Sequence, residues 1–291
     1  MEKIYLIERF IDCLKANDRS FATVKNYSFD LYLFAKWFHE QNCEELTANK
    51  ITPTDLRKYK QHLIDHPMKP NSINRKIGVL KGFMNWLFET DRIKQRFPLP
   101  KMVKKTNATI KWLDKNQQNF LLRHLEKYAH SRDYAIIKLL LNTGLRVNEI
   151  VNLKWTDVRM TDKKGAITVR YSKANRYRDV PLNKDARNAL SILGIADMIG
   201  KDQTIISGQR GKLTTRGIQL IIKRRFKYTE LNFLSPHILR HTFCKNLVDS
   251  GISLDRIALL AGHESLDTTR LYCQPSFDDL SDSVDKISEE E

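Results

Sequence analysis

Leu260-Ala261-Gly262-His263-Glu264-Ser265-Leu266-Asp267-Thr268-Thr269-Arg270-Leu271-Tyr272 stands near the C-terminal end of the chain. Taken alone it says little. Gly262-His263 reads as a turn with a capping histidine, and Tyr272 would be ordinary as a half-buried core aromatic. Its weight comes from three segments upstream: Thr143-Gly144-Leu145-Arg146-Val147-Asn148-Glu149, Lys173, and His237-Ile238-Leu239-Arg240-His241. Each of these is also weak by itself. An arginine after a helix-ending glycine is usually a surface residue, and a lysine in so basic a chain is no signal. His237 and His241, four apart, share a helix face and would suit a metal pair. No glutamate occupies the zincin position between them, however, and no third ligand is evident, so no metal site is expected.

The 291 residues carry 50 Lys+Arg against 34 Asp+Glu, a formal charge of +16. The length suits two domains of ordinary size, and 41% hydrophobic residues suffice for real cores. No apolar run approaches the roughly 20 residues of a membrane span. The N-terminus, with Glu2 and Glu8 and no small-residue cleavage site, does not read as a signal peptide. Cys13, Cys43, Cys244 and Cys273 are scattered without a Cys-x-x-Cys pair. They read as reduced thiols of a cytoplasmic protein. The positive surplus points to a polyanionic partner, nucleic acid above all.

Periodicity predicts helices almost throughout. Ile4, Ile7, Phe10, Ile11 and Leu14 recur at helical spacing. Ser20 caps a helix from about Phe21 to Gln41, Thr52-Pro53 opens a third through Leu63, and a fourth follows Pro70 with Ile73, Ile77, Leu80, Met84 and Leu87 on one stripe. Four amphipathic helices make a small bundle over residues 1–95. The prolines and lysines of residues 96–108 read as a linker. A second domain, residues 109–275, opens with helices over 114–128 and 132–141, the latter stopped by Gly144. Ala166-Ile167-Thr168-Val169-Arg170-Tyr171 and Arg178-Asp179-Val180-Pro181-Leu182 read as a β-hairpin. The rest is helical, apart from loops near Ser207-Gly211 and Ser250-Gly251. The fold class is therefore mainly α with a small β-hairpin or sheet. Residues 276–291 differ in kind: one lysine and seven acids give them a net −6, against +8 for residues 1–105 and +14 for 106–275.

Order, spacing and residue type across Arg146, Lys173, His237-x-x-Arg240, Gly262-His263 and Tyr272 resemble the tyrosine recombinases, or phage integrase family, over nearly the whole chain. The resemblance implies an N-terminal four-helix core-binding domain and an α+β catalytic domain that together clamp duplex DNA. It implies Tyr272 as nucleophile and Arg146 and Arg240 as clamps on the phosphate. Lys173 becomes the general acid, His237 a proton-transfer partner of the tyrosine, His263 a hydrogen-bond partner of the phosphate, and Glu149 an orienting acid. The chemistry is coherent. Bidentate, always-charged guanidiniums relieve the repulsion between a nucleophile and a phosphodiester. A tyrosyl phosphate ester conserves the bond energy for resealing, and a lysine beside phosphate protonates a leaving oxygen. No metal or other cofactor is needed, and the chain has no Gly-x-x-x-x-Gly-Lys-Ser/Thr loop.

Two positions depart from the family pattern. Ser172 and Ala174 flank Lys173 where glycines are common, leaving Lys164 and Arg176 as neighbours that could take its part. Cys273 follows the tyrosine where threonine is common.

The expected reaction is site-specific DNA recombination through a 3′-phosphotyrosyl link and a Holliday junction. The expected partners are a double-stranded recombination site and further copies of the chain, in a tetramer on two sites. The alternatives are relaxation by a type IB topoisomerase, and a DNA-binding regulator that has lost the chemistry. A first helix starting near residue 3 is more like Xer-type and simple mobile-element enzymes than arm-site integrases. Phosphate contacts are expected from Arg210, Lys212, Thr215 and Arg216, from Lys223, Arg224 and Arg225, and in the bundle from Lys25, Arg75, Lys76 and Lys81. In the tail, Phe277, Leu280, Val284 and Ile287 fall at helical spacing, which with the family's habit implies a helix docking on a neighbouring protomer.

Overall fold

The computed structural model describes residues 2–104, 110–170, 177–208, 211–273, 281 and 284–285. The chain forms two compact units, residues 1–108 and 109–291.

Unit one is built from α1 (Glu2–Ala16), α2 (Phe21–Asn42), α3 (Pro53–Asp65) and α4 (Pro70–Glu89), with a 3-10 turn at Ala48–Lys50. Their starts follow from local chemistry. The Ser20 hydroxyl accepts from the Thr23 N–H at 3.2 Å. Thr52 and Asp55 form a reciprocal capping box ahead of α3, with Pro53 at the first helical position, where its missing N–H costs nothing. The α2 helix runs on to Cys43, which closes it in the left-handed conformation. Inside lie Phe34, Phe38 and Phe83, with Tyr59 edge-on to Phe34 at 4.9 Å between ring centres. Burial pushes the Tyr59 phenol pKa up, and the nearby Asp30 charge adds to it.

One charge is buried with them. The Asp30 carboxylate of α2 is 1% exposed and meets Lys76 of α4 at 2.8 Å, with Arg75 on its other oxygen. Lys76, expected on DNA, therefore spends its ammonium inside the bundle. A carboxylate in an apolar core is tolerable only when its oxygens are satisfied.

Unit two contains α5 (Lys115–Tyr128), α6 (Ser131–Thr143), α7 (Val147–Asn152), β1 (Val158–Met160), β2 (Gly165–Arg170), β3 (Tyr177–Pro181), α8 (Lys184–Ile192), α9 (Ile195–Met198), β4 (Ser207–Gly208), β5 (Gly211–Lys212), α10 (Thr215–Phe226), α11 (Pro236–Asp249), α12 (Leu254–Ala261) and α13 (Leu266–Arg270). The hairpin expected from sequence gains a third strand. The antiparallel order is β1-β2-β3, with Ile167 opposite both Val158 and Val180. The three residues of β1 are too few for an alternating pattern to register. Ile167, Val169 and Val180 face the core, and the register puts Arg178 opposite Val169 on that same face. The loop expected near Ser207-Gly211 contains the two-residue ladder of β4 and β5. The core gathers the inner faces of α5, α6, α7, α8 and α10 around the sheet. A smaller cluster joins Cys244, Ile257, Ala261 and Tyr272.

Asp30→Ala is expected to destabilise unit one by about 3 kcal/mol, because it leaves a buried ammonium unpaired, whereas Asp30→Leu with Lys76→Met should lie near wild type. Urea unfolding of the purified protein decides it. Equal losses in the single and double variants would show that the pair carries no such charge penalty.

Candidate active site

The last turn of α12 is where Arg146 and Arg240 converge. The apolar run of α6 has to stop for Arg146 to leave it, and Gly144 stops it at φ 61. A Cβ at Gly144 would strike the ring of Phe243, so the position excludes side chains on two grounds. Arg146 then caps α7. Its N–H donates to Glu149 Oε2 at 2.8 Å, and its Nη1 donates to Glu149 Oε1 at 3.0 Å. Its Nη2 reaches the Gly262 carbonyl at 2.6 Å.

Arg240 enters from α11 and is 5% exposed. It donates to the Gly144 carbonyl and the Ala261 carbonyl, each at 2.6 Å. Arg178 enters from β3. It donates through Nε to the Leu260 carbonyl at 3.0 Å and through both terminal nitrogens to Glu149, at 2.9 and 2.8 Å. Carbonyls 260, 261 and 262 thus accept one guanidinium each, from three different elements. These are the orphan acceptors of a helix C-terminus, where the negative end of the helix dipole also lies.

Electrostatics follow from this crowding. Burial pushes the Glu149 carboxyl pKa up, but Arg178 and then Arg146 more than offset it, and the net shift is downward. Burial lowers His263 to about 4, helped by Arg240 and Arg146, and lowers His241 to about 4, helped by His237 and Arg240. Both imidazoles are neutral at neutral pH. His263 Nδ1 shares a 2.8 Å hydrogen bond with Thr269 Oγ1, and its ring stacks against Tyr272 at 6.1 Å.

Tyr272 lies in a short 3-10 turn, Leu271–Cys273, and is 1% exposed. Its phenol shares a 2.6 Å hydrogen bond with His241 Nδ1. Burial and the neighbouring Cys244 push its pKa up, with Arg240 opposing.

The fold therefore brings Arg146, Glu149, Arg240, His263 and Tyr272 together. His237 is exposed on the surface of α11, one turn before His241, with the two rings 6.5 Å apart. The imidazole against the phenol belongs to His241, which the sequence reading weighs only as a metal ligand. Among the described residues no group of three or more His, Cys, Asp or Glu could hold a metal ion. Arg178 is the other residue that the sequence reading passes over. Its signal was available: strand alternation puts it on the same face as Val180, and an arginine on an inward face needs a partner. Lys173 lies outside the described residues.

A cleft of about 680 Å³ opens beside Arg146 and Glu149, with Lys154 and Arg170 on its walls. Of the residues expected on phosphate, Lys25, Arg75, Arg216, Lys223 and Arg224 are exposed, and Lys81 and Thr215 are half-buried. Lys212 is exposed and holds the Asn152 side chain at 2.6 Å. Arg225 is half-buried and donates to the Tyr128 carbonyl at the end of α5. Arg210 lies outside the described residues, as do Phe277, Leu280 and Ile287 of the tail, while Val284 is exposed. No helix among the described residues is long and apolar enough to cross a membrane.

Residues 111–278 match the model of the phage integrase family, and residues 7–90 match that of the phage integrase N-terminal SAM-like domain. The chain is 31% identical to the tyrosine recombinase XerC of Leptospira interrogans, over 97% of this chain and 90% of that protein. It is 29% identical to XerC of Oceanobacillus iheyensis, over 96% and 94%. The fold is similar to that of the XerH site-specific recombinase bound to difH substrate, with a TM-score of 0.72 at 19% identity over 92% of this chain and 81% of that one. It is also similar to the Tn1549 transposon integrase in complex with transposon right end DNA, with a TM-score of 0.71 at 17% identity over 97% and 99%. An arginine cage beside a buried tyrosine, on this fold, defines a class. The chain belongs to the phage integrase family, the tyrosine recombinases.

The two depressed histidines set a pH dependence. Unfolded histidine binds its proton near 6.5, whereas His241 and His263 in the folded chain resist it down to about 4. Between those values the unfolded state holds more protons, so stability should be full above pH 6.5 and fall on acidification towards 4. His263→Asn should flatten part of that slope in urea midpoints measured across the window. An unchanged slope would place the histidine outside this linkage.

Proposed function

We propose that the protein is a site-specific DNA recombinase that cuts and rejoins duplex DNA through a 3′-phosphotyrosyl intermediate and a Holliday junction. The observation that carries this reading is the convergence of Arg146, Arg240 and His263 on the last turn of α12, with the Tyr272 phenol stacked against His263. Three guanidiniums, Arg146, Arg178 and Arg240, gathered around the Glu149 carboxylate suit a phosphodiester.

The roles follow from the chemistry. Arg146, 36% exposed, and Arg240 hold the nonbridging oxygens, and His263 donates to the same phosphate. The Tyr272 oxygen attacks phosphorus, forming the P–O(Tyr) bond as the P–O5′ bond breaks. The phenol proton passes to a histidine. His237 is the partner implied by the resemblance, and His241 is the one in hydrogen-bond contact. Lys173 gives a proton to the leaving 5′ oxygen. That hydroxyl then attacks the phosphotyrosine of the partner duplex, so bonds are exchanged without a nucleotide cofactor. Because Tyr272 is 1% exposed, the turn carrying it has to shift before attack. The basic residues Lys25, Arg75, Lys81, Arg210, Lys212, Arg216, Lys223 and Arg224, with Thr215, would hold the DNA backbone. The acidic tail, repelled by DNA, would dock on a neighbouring copy in a tetramer on two sites.

The test starts with selection of bound duplexes from a random-sequence pool by the wild-type protein. A nicked form of the selected site should then trap a covalent protein–DNA adduct, and Tyr272→Phe should abolish it while binding persists. Adduct formation by Tyr272→Phe would overturn the assignment of the nucleophile. Relaxation of plasmids lacking the site would favour a topoisomerase, and binding without cleavage by wild type would favour a regulator.

A further inference from the structure

Glu149 is shared between two guanidiniums of unlike surroundings. Its Oε1 accepts from Arg146 Nη1 at 3.0 Å and from Arg178 Nη1 at 2.9 Å. Its Oε2 accepts from the Arg146 backbone N–H and from Arg178 Nη2, both at 2.8 Å. The Arg178 side chain is 9% exposed, and that of Arg146 is 36% exposed. The inner guanidinium therefore matches the carboxylate in a parallel, two-bond fork, while the outer one keeps a face open to the cleft. The third donor of Arg178, Nε, holds the Leu260 carbonyl, next to the two carbonyls that hold Arg240 and Arg146. One side chain thus ties β3 to the carboxylate and to the turn that precedes His263. Arg178 also stands five residues after Lys173, on the strand that follows the segment carrying it.

We infer that Arg178 is a positioning residue for strand cleavage: by neutralising and fixing Glu149 and the last turn of α12, it keeps the Arg146 guanidinium available to the scissile phosphate. The inference rests on the recombinase reading above. Without Arg178, Glu149 would face Arg146 with its charge uncompensated and would draw that guanidinium into a closed pair, in competition with the phosphate. A lysine could supply the charge but not the fork.

The charged groups facing Glu149 among the described residues are Arg178 from β3, Arg146 at the start of α7 and Arg240 from α11. Loss of Arg178 removes the strongest of the influences that hold the carboxyl down and leaves Arg146 alone against burial, which raises it. The protonated form of Glu149 then persists to higher pH.

The experiment is single-turnover cleavage of the nicked selected duplex by the full chain, with binding measured in parallel at fixed salt. Arg178→Met should lower the cleavage rate about 100-fold, the scale of a misplaced catalytic group, with binding retained, and Arg178→Lys should recover part of the loss. The acid limb of the rate profile should move to higher pH in Arg178→Met and disappear when Glu149→Gln is added. The double variant should be no slower than Arg178→Met alone, because both changes act through one carboxylate. An acid limb that stays in place, or losses that multiply in the double variant, overturns the inference and makes Arg178 a support of the fold only. A wild-type protein that forms no adduct overturns the recombinase reading together with it.

Discussion

The end of one eight-residue helix organises the catalytic unit. A helix C-terminus leaves carbonyls without N–H partners, and inside a protein these need donors. In α12 the donors are Arg178, Arg240 and Arg146, one for each of the carbonyls of Leu260, Ala261 and Gly262. The need is mutual, since three guanidiniums packed this closely repel one another and lose hydration. Carbonyl oxygens at the negative end of a helix offset both costs without adding full negative charges that would repel a phosphate. Glu149 supplies a full charge, and its two oxygens are shared between Arg178 and Arg146.

The same device appears in the other unit with a different result. Asp30 is surrounded by Lys76 and Arg75 much as Glu149 is by Arg178 and Arg146. There the inner cation, Lys76, is buried and the outer one, Arg75, is exposed on the helix surface. In each unit one buried carboxylate fixes one internal cation and steers a second towards solvent. A buried ion pair is weak evidence of stability, and what both pairs share is this division of an inner from an outer cation.

The neighbours of Tyr272 show why the resting site favours restraint. Two neutral imidazoles and a thiol surround a phenol whose proton is held tightly by burial. Neither imidazole adds positive charge to an arginine cluster that already exceeds its carboxylate. The phenol is held against His241 and is buried with the turn that carries it.

Much of this was legible in the sequence. Helix starts came from residues a few positions apart, such as the Thr52–Asp55 box and Gly144 after α6, because capping and periodicity act within one or two turns. The order and spacing of Arg146, Lys173, His237-x-x-Arg240, Gly262-His263 and Tyr272 were enough to suggest the family; of these the fold brings Arg146, Arg240, His263 and Tyr272 together, while His237 is exposed on α11. What only the tertiary structure decided was the choice among equivalents. His241 rather than His237 meets the phenol, Lys76 turns inward to Asp30, Arg225 is spent on the Tyr128 carbonyl, and Arg178 completes the arginine cluster. These choices share a physical reason. Each depends on a partner far along the chain, and several of the partners are backbone carbonyls, which every residue carries and which leave no mark on the sequence.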